Sequence, residues 1–81
     1  MKTVKRGDTG ADVLALQAVL NAQGIVPSSG LPVEVDGVFG PETEECVKYV
    51  QRRAKAYNVP GVEVDGICGP ITWQQLITER G

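Results

Sequence analysis

The sequence predicts an all-α domain, a small closed three-helix bundle with two pseudo-repeated Asp-Gly turn/helix units. Two observations carry that expectation. Three segments have helical apolar spacing with recognisable starts or stops, and the skeleton of residues 35–47, VDGVFGPETEECV, recurs at 64–76 as VDGICGPITWQQL. The 81 residues form a single domain, 1–81, too small for a deep enclosed active site. With 42% apolar and 22% charged residues and no low-complexity tract, the chain reads as globular, not disordered.

The first helix runs from Thr9 or Gly10 to Gln23, and Gly24 stands where a C′ glycine ends a helix. Val13, Leu16 and Leu20 form its apolar stripe and enter the predicted core. Ala11, Ala15, Ala18 and Ala22 form a second, small-residue stripe expected to let a neighbouring helix approach. IVPSSGLPVE then reads as a loop.

Asp36-Gly37 is a turn dipeptide, and Gly40-Pro41 starts the second helix, because proline is tolerated at the first helical position. That helix is expected over about 41–57. Glu42, Glu44 and Glu45 lie at its positive dipole end and Arg52, Arg53 and Lys55 toward the other. Val47, Val50, Ala54 and Tyr57 keep heptad-like apolar spacing.

Asn58-Val59-Pro60-Gly61 breaks the chain before the skeleton recurs. Asp65-Gly66 repeats the turn, Gly69-Pro70 repeats the helix start and Thr72 repeats Thr43, all at a constant offset of 29. A short third helix is expected from Pro70 to about Thr78, with Trp73 and Leu76 or Ile77 facing inward. The repeat units are thus about 35–57 and 64–78. Each turn is expected to insert two apolar residues, Val35 and Phe39 or Val64 and Cys68, while its Asp accepts backbone N–H bonds within the turn. Gln17 and Gln51 each follow a stripe residue, which suits bonding to turn carbonyls inside the domain.

Composition also excludes chemistry. With no histidine, His-metal sites, Ser-His-Asp triads and Cys-His pairs are impossible within this chain. Asp36 and Asp65 are the only carboxylates of interest for acid-base work, and each is explained by its turn. A single carboxylate per loop is too few for calcium. The expectation is therefore no enzyme activity, no metal and no cofactor.

A net charge of −2 argues against a nucleic-acid surface. Residues 1–6, MKTVKR, begin like the basic region of a signal peptide, but GDTG follows where the apolar run should be, so neither a signal peptide nor a membrane insertion is read. As isolated residues Cys46 and Cys68 read as buried small hydrophobes. The repeat points both at one interior, where a bridge would close about 22 residues and stabilise by roughly 3 kcal/mol. Bridge and free thiols both stay open, with free thiols favoured.

The ordered set Gly7-x-x-Gly10-x-Asp12-Val13-x-x-Leu16-Gln17-x-x-Leu20-x-x-x-Gly24, Val35-Asp36-Gly37-x-Phe39-Gly40-Pro41-x-Thr43-x-x-x-Val47-x-x-Val50-Gln51 and Val64-Asp65-Gly66-x-x-Gly69-Pro70-x-Thr72-Trp73-x-x-Leu76 resembles the peptidoglycan-binding domain family, type 1, over nearly the whole chain. The resemblance implies a monomeric three-helix module that binds bacterial peptidoglycan, acts at the bacterial cell wall and is attached to a catalytic domain such as a wall hydrolase or endolysin. The chain departs from the family at Val50, where Phe is usual, at Cys46, where Ala is common, and at Cys68, where an aliphatic residue is usual. The segments 25–34 and 55–63 are also longer than the family minimum.

Muropeptide offers N-acetyl groups, hydroxyls and carboxylates, to which an exposed aromatic beside a guanidinium is suited. Tyr49 and Arg53, four apart on the second helix, are the candidate ligand pair, with Phe39 and Asp36 as an adjoining wall. The competing assignments are core for Phe39 and an ordinary solvated face for Tyr49 and Arg53. Trp73 is assigned to the core. The alternative function is an interaction or pro-domain module that covers a partner enzyme, for which Cys68 in ICGP is a poor cysteine switch.

Overall fold

The structure is a computed structural model and describes residues 2–77. It contains three helices: α1, Ala11–Ala22, α2, Pro41–Ala56, and α3, Pro70–Ile77. No strand is formed among the described residues, and α3 packs against both α2 and α1. Thr78, the expected end of α3, lies outside the described residues.

The helix ends follow from local chemistry. After α1, the Gly24 N–H bonds the Asn21 carbonyl and the Ile25 N–H bonds the Leu20 carbonyl, with Gly24 at φ 73°. This pair of bonds is a Schellman cap, which satisfies carbonyls the helix leaves open. After α2, Asn58 and Val59 bond the carbonyls of Lys55 and Ala54 in the same pattern, with Asn58 at φ 62°. Asn replaces Gly here because its short polar side chain tolerates the left-handed region. Pro41 occupies the first turn of α2 and Pro70 begins α3, both directly after a glycine.

The core consists of Val13, Leu16 and Leu20 from α1, Cys46, Val47 and Val50 from α2, and Trp73 and Leu76 from α3, all buried, closed by Val4, Ile25, Val33, Phe39 and Cys68. Three expectations need correction. Val35 is 48% exposed and Val64 is exposed too, whereas Val33, 3% exposed, and its counterpart Val62 are buried. The first anchor sits two residues earlier because the Asn21 amide holds the Val33 carbonyl at 2.9 Å, which draws that point of the chain onto α1. Second, Tyr57 is 74% exposed, because it lies at the C-cap of α2, past the last helical residue. Third, Ala11, Ala18 and Ala22 are exposed and only Ala15 meets the core, so the small-residue stripe faces no helix. Of the two alternatives for the inward position of α3, Leu76 fills it and Ile77 is exposed.

The segment before α1 is built into the fold. Val4 and Cys68 exchange backbone bonds of 3.2 and 2.8 Å, Gly7 donates to the Phe39 carbonyl at 3.0 Å, and the Phe39 N–H donates to the Asp8 carbonyl at 2.9 Å. The Trp73 indole N–H bonds the Lys2 carbonyl at 2.9 Å. One segment, turned at residues 5–8, thereby straps both turns at equivalent positions, since Phe39 and Cys68 are 29 apart.

Candidate functional site

Each Asp-Gly turn is held by a buried glutamine from the helix that precedes it. Gln17 Nε2 donates to Asp36 Oδ1 (3.2 Å), the Val38 carbonyl (3.0 Å) and Thr43 Oγ1 (3.1 Å). Its Oε1 accepts the N–H groups of Asp36 (3.1 Å) and Gly37 (2.9 Å). Gln51 repeats this set: Nε2 donates to Asp65 Oδ1 (3.0 Å), the Ile67 carbonyl (2.9 Å) and Thr72 Oγ1 (3.1 Å), and Oε1 accepts from Asp65 (3.1 Å) and Gly66 (2.9 Å). An amide supplies both donors and acceptor from one planar group, which is why a glutamine can close a whole turn.

The aspartates complete the turns by Asx bonds, Asp36 Oδ1 accepting from the Val38 N–H at 3.0 Å and Asp65 Oδ1 from the Ile67 N–H at 2.9 Å. The Val38 N–H holds the Asp36 carboxyl below its ordinary value of 3.8; burial opposes that shift and the Gln17 amide adds to it. A general acid needs the reverse shift, so the turn geometry works against proton donation by Asp36.

Gly37 and Gly66 both have φ 76°, the left-handed region that the turn requires. A Cβ on Gly66 would also stand 2.9 Å from the Glu44 Cγ, so α2 lies directly over the second turn.

Phe39, predicted beside the ligand, is 1% exposed and belongs to the core. Its backbone is pinned on both sides by residues 7 and 8, which turns the ring inward. Asp36 lines a cleft beside the first turn together with Glu34 and Glu42. Arg53 lines a different one, between α2 and α3. The four candidate residues therefore do not form one wall.

Tyr49 and Arg53 do come together. The guanidinium carbon lies 5.6 Å from the Tyr49 ring centroid, within cation–π range, and the ring is 46% exposed. The neighbouring cleft has a volume of about 200 Å³ and is lined by Val50, Arg53, Ala54, Tyr57 and Gln75. Tyr57 was hidden from sequence reading by its place in the apolar spacing. The i, i+4, i+8 series Tyr49, Arg53, Tyr57 was the signal that could have found it.

The cysteines are free and fully buried, with Cys46 pushed up to about 11 and Cys68 to about 12 by burial; the carboxylates of Glu45 and Glu42 add to the shift at Cys46. Such thiols are poor nucleophiles, and Cys68 cannot be presented to a partner's metal. Among the described residues no group of three metal-ligating side chains is assembled, and no helix is long and apolar enough to cross a membrane.

Comparison with known proteins matches this architecture. The chain is 39% identical over 74 residues to the N-acetylmuramoyl-L-alanine amidase CwlL of Bacillus licheniformis, covering 90% of this chain and 18% of that protein. It is 36% identical over 74 residues to the zinc D-Ala-D-Ala carboxypeptidase of Streptomyces albus G, covering 91% of this chain and 26% of the relative. Among solved structures, the SleB N-terminal domain superposes with a TM-score of 0.74 at 32% identity, over 95% of this chain and 90% of that one. The Burkholderia AP3 phage endolysin superposes with a TM-score of 0.73 at 35% identity, over 99% of this chain and 26% of the endolysin. The chain thus spans about a fifth to a quarter of those two enzymes' lengths. Residues 9–76 match the family described as "Putative peptidoglycan binding domain", and the chain belongs to that family, whose members occur as parts of cell-wall hydrolases and endolysins.

Proposed function

We propose that this domain is a non-catalytic targeting module that binds peptidoglycan through the outer face of α2 and holds an attached wall hydrolase on its substrate. It works as a monomer, at the bacterial cell wall, without inserting into a membrane. One observation supports the choice of face: the exposed Tyr49 ring and the half-buried Arg53 form a ring–cation pair at 5.6 Å that the core does not use.

The gain comes from tethering. Weak binding to an insoluble polymer raises the local concentration of substrate around a linked catalytic domain, with no new catalytic group required. A ring face suits the apolar side of a sugar, and a guanidinium suits carbonyl and carboxylate oxygens.

The test is to fuse the domain to a catalytic wall hydrolase and to compare the fusion with the catalytic domain alone. At low enzyme concentration the fusion should clear intact sacculi at least about tenfold faster, while activity on soluble fragments stays equal. The Tyr49→Ala, Arg53→Ala double variant of the fusion should lose the advantage. Equal clearing of sacculi by both enzymes would remove the targeting function, and an undiminished double variant would move the site off this face.

A further inference from the structure

The cleft at the end of α2 has a charge pattern unlike that of the other clefts. Val50 and Ala54, both buried, form its floor, and Arg53, Tyr57 and Gln75 stand around it. Among the described residues no carboxylate lines it. Arg53 makes no ion pair among the described residues, and it is the one charged side chain among the described residues that line the cleft. By contrast, the cleft beside the first turn carries Glu34, Asp36 and Glu42, and the one beside the second carries Glu63 and Asp65. A domain with net charge −2 thus places at this cleft a cation, Arg53, that has no counter-ion among the described residues.

Three physical terms bear on what fits there. The carbonyl end of α2 puts partial negative charge nearby, which opposes an anion. The full positive charge of Arg53, which lines the cleft itself, exceeds that half-charge. A guanidinium on an apolar floor is less well screened than one in open water, and its planar fork takes a carboxylate through two parallel N–H bonds, which a hydroxyl or neutral amide cannot match.

Resting on the wall-binding reading above, we propose that this cleft is the subsite for a free carboxylate of the wall's peptide portion. Arg53 grips the carboxylate, and Tyr57 covers the aliphatic stem beside it. The acidic turn clefts repel the same group, so charge also sets the orientation of the bound peptide. Tyr49 remains the platform on the opposite side of Arg53, and the three residues line up along one helical stripe.

Two probes separate the possibilities: a soluble muropeptide with free carboxylates and the same muropeptide with its carboxylates amidated. Titrated into the whole domain, the free form should bind about tenfold more tightly than the amidated form, the margin of a charge-assisted over a neutral hydrogen bond. Arg53→Gln should bring the free form down to the amidated level and abolish the difference. Arg53→Lys should keep the salt dependence and recover only part of the affinity. Tyr57→Ala should weaken both probes by the same factor. Circular dichroism shows whether each variant is folded. A parent that binds sacculi but takes both probes equally would overturn the carboxylate assignment and leave the wall-binding reading in place. A folded Arg53→Gln variant that keeps the preference would overturn it too. Failure to bind either probe or sacculi would bring down the reading on which it rests.

Discussion

The two Asp-Gly turns and the outer face of α2 use the same kinds of polar groups for opposite ends. In the turns, the Gln17 and Gln51 amides are saturated by partners inside the domain and almost wholly buried. On the α2 face, Arg53 has a ring for a neighbour and no counter-ion among the described residues. A polar group that has spent its bonds inside the fold contributes little to a ligand, so the more conspicuous motif is scaffold and the plainer face is the better binding candidate.

The largest separation of the two regions should come from Gln17→Ala. It leaves the N–H groups of Asp36 and Gly37 without their acceptor, and buried unsatisfied groups cost about 1–3 kcal/mol each. A loss of about 3 kcal/mol in denaturant unfolding is expected, a large part of the stability of a domain this size. Gln51→Ala should cost about the same, because its partners are equivalent; a difference greater than about 2 kcal/mol would break the equivalence of the turns.

A smaller effect is expected in acid. The folded Asp36 carboxyl lies below its ordinary value of 3.8, so its contribution to stability is complete above that pH and is lost as pH falls through the folded value. Asp36→Asn keeps the side-chain acceptor and should flatten the acid limb of the stability curve below about pH 4. An unchanged acid limb would show that the bond from Val38 does little energetically.

The smallest effect on folding belongs to the candidate face. Tyr49→Ala and Arg53→Ala should each alter stability by less than about 1 kcal/mol, because the ring is exposed and cation–π pairs at exposed sites are worth about 0.5–1 kcal/mol. A loss of several kcal/mol in thermal unfolding would mean that these residues belong to the scaffold after all.

Much of this was legible in the residues. Gly24, Gly40-Pro41 and Gly69-Pro70 mark helix ends because few residues satisfy those backbone positions. The glutamines were legible as internal donors because each follows a stripe residue. The anchors were not: Val33 and Val35 are equally apolar, and only the Asn21–Val33 bond across the loop decides which is buried. The repeat in fact extends two residues upstream, VEVDG matching VEVDG at 33–37 and 62–66, and this was the available clue. The strap of residues 2–10 left no periodic trace, since its bonds are backbone to backbone. Tyr57 was misassigned because spacing does not reveal where a helix stops, while the Schellman cap at Asn58 does.

The most direct test of the division between scaffold and binding face is an amide chemical-shift map of the whole domain titrated with soluble peptidoglycan fragments. Perturbations are expected around Tyr49, Arg53, Tyr57 and Gln75, with the amides of 36–39 and 65–68 unmoved. Shifts concentrated in the two turns, with α2 silent from 49 to 57, would contradict the account and make the doubled motif the ligand site.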